Sequence, residues 1–309
     1  ANDDYRIAPP YQAKPLKPND LEVASDFIDI ECLDRFTEQA IKWLDGQASA
    51  SRNGKPFMLY LSYTSPHKPV IPLKRFRGKG GAGAYGDFMM ETDWHVGRVL
   101  DCIDKNKLTD NTVVVFTSDN GPESTWRRRI EEYNHHSNGI YREGKRSIYE
   151  GGHRVPFLIR WPNNVKASSK WDSPVCQTDF LATFADILGK KLPENAGEDS
   201  VSFYKALIGQ DAPQRFAMIH HSMRGRYAVR EGKWKLIMES GSKDSKRELY
   251  DLSVDPGELS NLIVKYPDVA ERLKKSITEI IQNGRTTPGR AQKNDTKFWS
   301  DLHWMSDPD

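Results

Sequence analysis

From residue 28 to about 188 the chain alternates between segments of helical periodicity and short apolar runs, which restricts it to an α/β architecture of strands layered with helices. Ile28, Leu33, Phe36, Ala40, Ile41 and Leu44 recur at helical spacing until Asn53-Gly54-Lys55-Pro56 breaks the pattern. Phe57-Met-Leu-Tyr-Leu-Ser-Tyr63 is a near-continuous apolar run and predicts a strand buried on both faces. A basic, Gly-rich loop from Lys74 to Gly86 leads to a second amphipathic helix marked by Phe88, Met89, Val96, Val99, Leu100 and Ile103. Thr112-Val-Val-Val-Phe-Thr117 is β-branched and aromatic throughout, the strongest strand signal in the chain. Val155-Pro-Phe-Leu-Ile-Arg-Trp161 predicts a third strand, and Leu181, Phe184, Ile187 and Leu188 a helix closed by Gly189.

The texture changes near residue 205. Phe216–His220, Tyr227–Arg230, Trp234–Met238 and Glu248–Asp251 predict consecutive short strands, with Glu231-Gly232-Lys233 as a hairpin turn. A last helix starts at Pro267, faces Val269, Leu273, Ile277, Ile280 and Ile281 inward and stops at Gly284. The expected organisation is an α/β domain over 1–205 and a small antiparallel α+β domain over 206–309. The first 22 residues, rich in Pro, Lys and Asp, predict an irregular surface segment. Forty-five Lys+Arg against forty-three Asp+Glu leave +2, too balanced to argue for nucleic acid binding. No apolar run reaches the roughly 20 residues of a membrane span. Cys32, Cys102 and Cys176 are too few for a disulfide scaffold, and no CxxC pair suggests structural zinc.

Open α/β sheets bind ligands at the carboxyl ends of their strands, so the residues there are the first candidates for chemistry. Asp119 and Asn120 follow the strongest strand and offer a carboxylate and an amide oxygen, hard donors suited to Ca²⁺ or Mg²⁺; the alternative is an Asx-type turn capping the strand. His67, between Pro66 and Pro69, can donate a proton or hydrogen bond at a reacting oxygen, or be a surface histidine. Lys145 can contact an oxyanion or be a solvated lysine. Together these residues would form an anion site beside a divalent cation. Gly81-Ala-Gly83-Ala-Tyr-Gly86 matches dinucleotide-binding spacing, but the basic segment before it is not a strand that could aim the turn.

Phe57–His67, Phe116-Thr-Ser-Asp-Asn-Gly-Pro122 and Gly144-Lys-Arg-Ser-Ile-Tyr-Glu-Gly-Gly-His-Arg-Val-Pro156 resemble successive signatures of the formylglycine-dependent sulfatases, arylsulfatase A-like branch. Gly232-Lys-Trp-Lys-Leu236 and Leu249–Glu258 are similar to that family's C-terminal domain, so the resemblance runs from about residue 28 to 283. It implies an alkaline-phosphatase-like fold, a large sheet between helices plus a small C-terminal sheet. It also implies that Asp119 and Asn120 are calcium ligands, that Lys145 binds sulfate, and that His67 lies beside the sulfate and leaving-group oxygen. Sulfate transfer moves negative charge onto peripheral and leaving oxygens, which such groups stabilise.

The family nucleophile, a formylglycine made in a Cys-x-Pro-Ser-Arg-like motif, has no match at Cys32, Cys102 or Cys176, and Asp3-Asp4 does not follow an apolar strand as the family's earlier metal pair does. The expectation is therefore a C-terminal portion of a longer sulfatase, inactive alone. Arg146 and His153 also depart from the small and apolar residues expected there. The alternatives are a phosphatase or phosphodiesterase of the same superfamily, which often carries Asp-His where this chain has Asp119-Asn120, and a non-catalytic glycan-binding remnant. Between the motifs, Trp126 and Tyr133 could stack on sugars, while Arg127, Arg128, Arg129, His135 and His136 could pair with further sulfates; the alternative is a solvated loop. His220 and His221 could approach the same pocket. The expected partner is a sulfated carbohydrate or aryl sulfate, with a periplasmic, secreted or lysosomal location implied by the family.

Overall fold

A computed structural model describes residues 27–212, 214–241, 245–295 and 301–305. The expectations for the first 22 residues and for Asp3-Asp4 lie outside the described residues. Contacts group the chain into two units. One takes the described residues up to Val114 with Thr125–Ser137; the other takes Val115–Ser124 and the described residues from Asn138 onward.

In the first unit a 3₁₀ turn, Asp29–Glu31, runs into α1 (Cys32–Arg52). Leu33, Thr37, Ala40, Leu44, Ala48 and Ser51 are its buried residues, and their steps of three and four place them on one stripe. Phe36 lies off that stripe and is 41% exposed. The next long helix, α2 (Gly83–Lys105), begins inside the Gly-rich segment, which is therefore only partly a loop. Buried Asp87 shapes what remains, its carboxylate accepting from the backbone N–H groups of Gly78, Lys79 and Gly80 at 2.7–2.9 Å. Turns, not a strand, precede α2, so the dinucleotide fingerprint lacks its context. Leu44 and Ala48 of α1 cluster with Cys102, Ile103 and Leu108, and Leu33 with Val70, Ala84 and Phe88.

The strand expected over Phe57–Tyr63 is corrected. Among the described residues this stretch forms no strand, and Met58 and Tyr60 are 74% and 80% exposed. Only its inward side is covered: Phe57 packs edge-on against Trp43, and Tyr63 against the Leu33 cluster. An apolar run reports that both faces want burial, not that both are buried.

In the second unit β1 (Val114–Thr117, whose first residue belongs to the first unit) pairs with β2 (Phe157–Arg160), the strands expected over Thr112–Thr117 and Val155–Trp161. The intervening helices are α3 (Trp126–Tyr133), which belongs to the first unit, and the single turn α4 (Glu150–His153). They are followed by α5 (Phe180–Ile187), with Gly189 at φ +63° just beyond it, and the turn α6 (Tyr204–Leu207). Then come β3 (Met218–His221), β4 (Tyr227–Glu231), β5 (Trp234–Ile237) and β6 (Glu248–Asp251), an antiparallel sheet in sequential order, and α7 (Pro267–Asn283). Glu231 pairs with Trp234, leaving the two-residue turn Gly232-Lys233 with Gly232 at φ +54°.

Register then decides the two faces of this sheet. Val229, Leu236 and Leu249 are cross-strand partners and pack on Ala270, Leu273 and Ile277 of α7. Ala228, Ile237 and Tyr250 point the other way, against Ile148 and Tyr149. Arg230, Lys235 and Tyr250 are cross-strand partners, so two cations share that second, covered face.

Candidate active site

β1 ends at Thr117 and delivers Ser118-Asp119-Asn120-Gly121-Pro122 into a frame of backbone contacts. Gly121 N–H donates to Gly152 O at 2.9 Å, and Lys145 N–H to Pro122 O at 2.8 Å. A Cβ on Gly121 would sit 1.8 Å from Gly151 O, and one on Gly151 would sit 2.3 Å from Glu143 O. Glycine is required at both positions because backbone meets backbone there. The structure thus brings Asp119, Asn120 and Lys145 into one interlocked set of loops.

Asp119 is exposed, its carboxylate taking only a long contact from Ser118 Oγ at 3.5 Å among the described residues. Asn120 Nδ2 donates to Gly121 O at 3.0 Å. An Asx turn would spend the side-chain oxygen on a backbone N–H, whereas here the amide nitrogen is used and Oδ1 stays available. Gln177 Nε2 donates to Ser118 O at 2.7 Å and steadies the turn from the 3₁₀ segment before α5. A carboxylate and an amide oxygen on one turn fit a hard divalent cation such as Ca²⁺. Lys145 is half-buried and its ammonium has no ion-pair partner among the described residues. Its neighbour Arg146 is paired, Nη1 donating to Glu123 Oε1 at 2.7 Å, and that bond draws the Glu123 carboxyl down to about 2.

The remaining candidates of the motif and insert fall in the first unit. His67 is exposed between the cis bonds Ser65–Pro66 and Lys68–Pro69. Its Nδ1 is 2.7 Å from Lys68 O; a carbonyl only accepts, so Nδ1 carries the hydrogen and Nε2 is left for a ligand or a proton. Within the Glu123–His136 insert, Trp126–Tyr133 forms helix α3, so this stretch is a largely exposed helix and not a loop. Arg127 stacks on Trp126 at 4.6 Å and Arg128 pairs with Glu132 one turn on. Arg129, grouped with substrate-pairing arginines, is corrected: it is 2% exposed, lies 3.8 Å from the Tyr85 ring centroid and donates to Thr125 and Ser137 hydroxyls. His135 lines a cleft of about 350 Å³ with Gly80, Tyr85, Met89, Met90 and Asp93; burial, then Arg129, pushes its pKa down. His136 is exposed.

His220 lies elsewhere, in a cluster that sequence reasoning missed. Its ring stacks on His153 at 4.0 Å, and both lie within ligand distance of Glu150 on α4. Lys235 Nζ, fully buried, reaches Glu150 Oε1 at 3.0 Å, Glu258 Oε1 at 2.8 Å and Ile148 O at 2.8 Å. Arg230 and Arg154 each approach Glu150 Oε2 at 3.6 Å. Burial alone would raise the Glu150 pKa, but the His153 hydrogen bond and the Lys235 ammonium hold it well below the carboxylate range. Burial keeps Glu258 raised and both histidines lowered, His220 strongly. Three ligands close together, a carboxylate and two imidazoles, suggest a metal, yet three cations already face two carboxylates, so a divalent ion would meet net positive charge. The cluster is a buried ion network. It also explains His153, which departs from the apolar residue expected there because it donates to Glu150 and stacks on His220. The available signal was Lys235 itself, a lysine facing inward on a strand buried on both sides.

A family model described as Sulfatase matches residues 10–190, over half of the chain. This chain belongs to the sulfatase family. A second model, N-sulphoglucosamine sulphohydrolase, C-terminal, matches residues 139–283 of this sulfatase. It is 36% identical over 247 residues to an N-acetylgalactosamine-6-O-sulfatase of Bacteroides thetaiotaomicron, covering 74% of this chain and 48% of the relative. Bovine arylsulfatase A is 31% identical over 260 residues, 76% of this chain and 50% of the relative. The chain therefore spans about half the length of these curated relatives. Among solved structures, a Bacteroides thetaiotaomicron sulfatase from a glycosaminoglycan-metabolism locus superposes with a TM-score of 0.74 at 33% identity, covering 82% of this chain and 55% of that one. The fold is that of these sulfatases, alkaline-phosphatase-like, and among the described residues β1 and β2 form a two-stranded sheet. No described helix is long and apolar enough to cross a membrane.

Proposed function

We propose that this sulfatase hydrolyses sulfate esters on a sulfated carbohydrate, with Asp119 and Asn120 as calcium ligands, Lys145 holding the sulfate and His67 serving the leaving-group oxygen. The observation that carries the reading is the Lys145–Pro122 backbone bond, which ties the oxygen-donor turn to a lysine without an ion-pair partner among the described residues. Calcium, when bound, would supply Lewis-acid stabilisation of sulfate oxygens, and a formylglycine would supply the nucleophile; neither Cys32, Cys102 nor Cys176 has the motif for it. The chain's own residues do the rest. The Lys145 ammonium offsets charge on a peripheral oxygen as it grows. His67, with Nδ1 committed to Lys68 O, presents Nε2 as the atom that gives or takes a proton. The carbohydrate assignment is supported by the similarity to an N-acetylgalactosamine-6-O-sulfatase. The same resemblance suggests a periplasmic, secreted or lysosomal location.

The test is Lys145→Ala and Asp119→Ala in the full gene product containing this chain. Lys145→Ala should cost roughly 1.5–3 kcal/mol of transition-state stabilisation, the scale of a charge-assisted hydrogen bond. Asp119→Ala should lower bound calcium measured by metal analysis. Normal calcium content and activity in both variants would refute the assignment.

A further inference from the structure

We propose that the Glu123–Arg146 ion pair is a clasp that positions Lys145 beside the Asp119–Asn120 turn, making Glu123 and Arg146 positioning residues for sulfate transfer. The inference rests on the reading of Lys145 as the sulfate-holding residue. Arg146 directly follows Lys145 and has φ +76°, a left-handed conformation that disfavours a side-chain-bearing residue and persists only where neighbours over-determine it. Two neighbours do so. The Arg146 carbonyl accepts from Met223 N at 3.2 Å, and the guanidinium donates to Glu123 Oε1 at 2.7 Å.

Glu123 in turn directly follows Pro122, whose carbonyl accepts the Lys145 N–H at 2.8 Å. One backbone bond and one side-chain bond therefore close a ring between 122–123 and 145–146, with Lys145 at its corner. The Lys145 backbone, and with it the point from which the side chain projects, cannot swing without breaking one of them. The pair also occupies the Arg146 cation, whereas Lys145, whose backbone is tied to Pro122, has no ion-pair partner among the described residues. With Glu123 drawn down to about 2 by the Arg146 hydrogen bond, both members of the clasp are charged at neutral pH. Arg146 and Glu123 are 41% and 24% exposed, and ion pairs so close to water add little to stability. The effect of this one falls on orientation.

The experiment measures kcat, KM, inhibition by inorganic sulfate and Tm for Glu123→Gln, Arg146→Gly and the double variant of the full gene product, with Lys145→Ala as reference. Glycine takes a left-handed φ without strain, so Arg146→Gly opens the clasp and leaves the backbone at ease. Each single variant should lose roughly ten- to a hundred-fold in kcat, the scale of a misplaced catalytic group, with KM changing less. Tm should move by less than about 2 °C, and the double variant should be no worse than the poorer single one. Wild-type kcat in both singles alongside an impaired Lys145→Ala would overturn the clasp and leave the function intact. Losses that multiply in the double variant, or that track a fall in Tm, would overturn it too. Full activity in Lys145→Ala would instead remove the reading on which it rests.

Discussion

Replacing Lys235 by Met should destabilise the second unit strongly at neutral pH and much less in mild acid. The ammonium is fully buried, bridges Glu150 and Glu258 at 3.0 and 2.8 Å, and satisfies Ile148 O at 2.8 Å. Methionine fills much of the same volume, so the cost is electrostatic: two carboxylates at 1% and 0% exposure face each other without the cation between them. Breaking a buried pair in this way costs about 3–5 kcal/mol, a fall in Tm of roughly 6–20 °C for a unit of this size. The sign of the pH effect follows. In the natural chain the depressed pKa of Glu150 contributes stability above the unfolded carboxylate pKa, and that contribution fades as pH falls. Without Lys235 the pair must share protons, and folded pKa values rise above the unfolded ones. The penalty is then full at high pH and relieved as pH drops through the carboxylate range. Urea unfolding at about pH 5 and 7 measures both, and Lys235→Met/Glu150→Gln/Glu258→Gln should recover part of the loss. An unchanged urea midpoint at pH 7, or a larger penalty at pH 5, would refute the network.

Gly121→Ala forces a Cβ to within 1.8 Å of Gly151 O, so it should displace the Asp119–Asn120 turn and abolish turnover in the full gene product; activity near wild type would mean the loops can part cheaply. Arg129→Ala should lower the urea midpoint through its unpaired partners Thr125 and Ser137, whereas Arg127→Ala, stacked on Trp126 at the surface, should leave stability within about 0.5 kcal/mol. If α3 reads substrate, Arg127→Ala combined with Trp126→Ala and His136→Ala should reduce turnover on sulfated oligosaccharides more than on aryl sulfates; equal losses would remove α3 from specificity.

The sequence alone determined where most elements lie and which short motifs are candidates for chemistry. Helical steps marked α1, α2, α5 and α7, short apolar runs marked β1 and β2, and Gly232 and Gly284 marked a hairpin and a helix end, because these are local conformational preferences. The Asp119-Asn120 turn and Lys145 were legible for the same reason, since each sits in a short contiguous motif. Periodicity placed Phe57–Tyr63 in a strand it does not form among the described residues, because pairing requires a partner no local pattern supplies. Only tertiary structure decided that Arg129 is internal, that Asn120 Oδ1 remains available, and that Glu123 and Arg146 meet across 23 positions. Lys235, Glu150 and Glu258 come from three separate stretches, and sheet register brings them together out of water. A charge pair depends on distance and desolvation, and neither quantity exists until the chain has closed on itself.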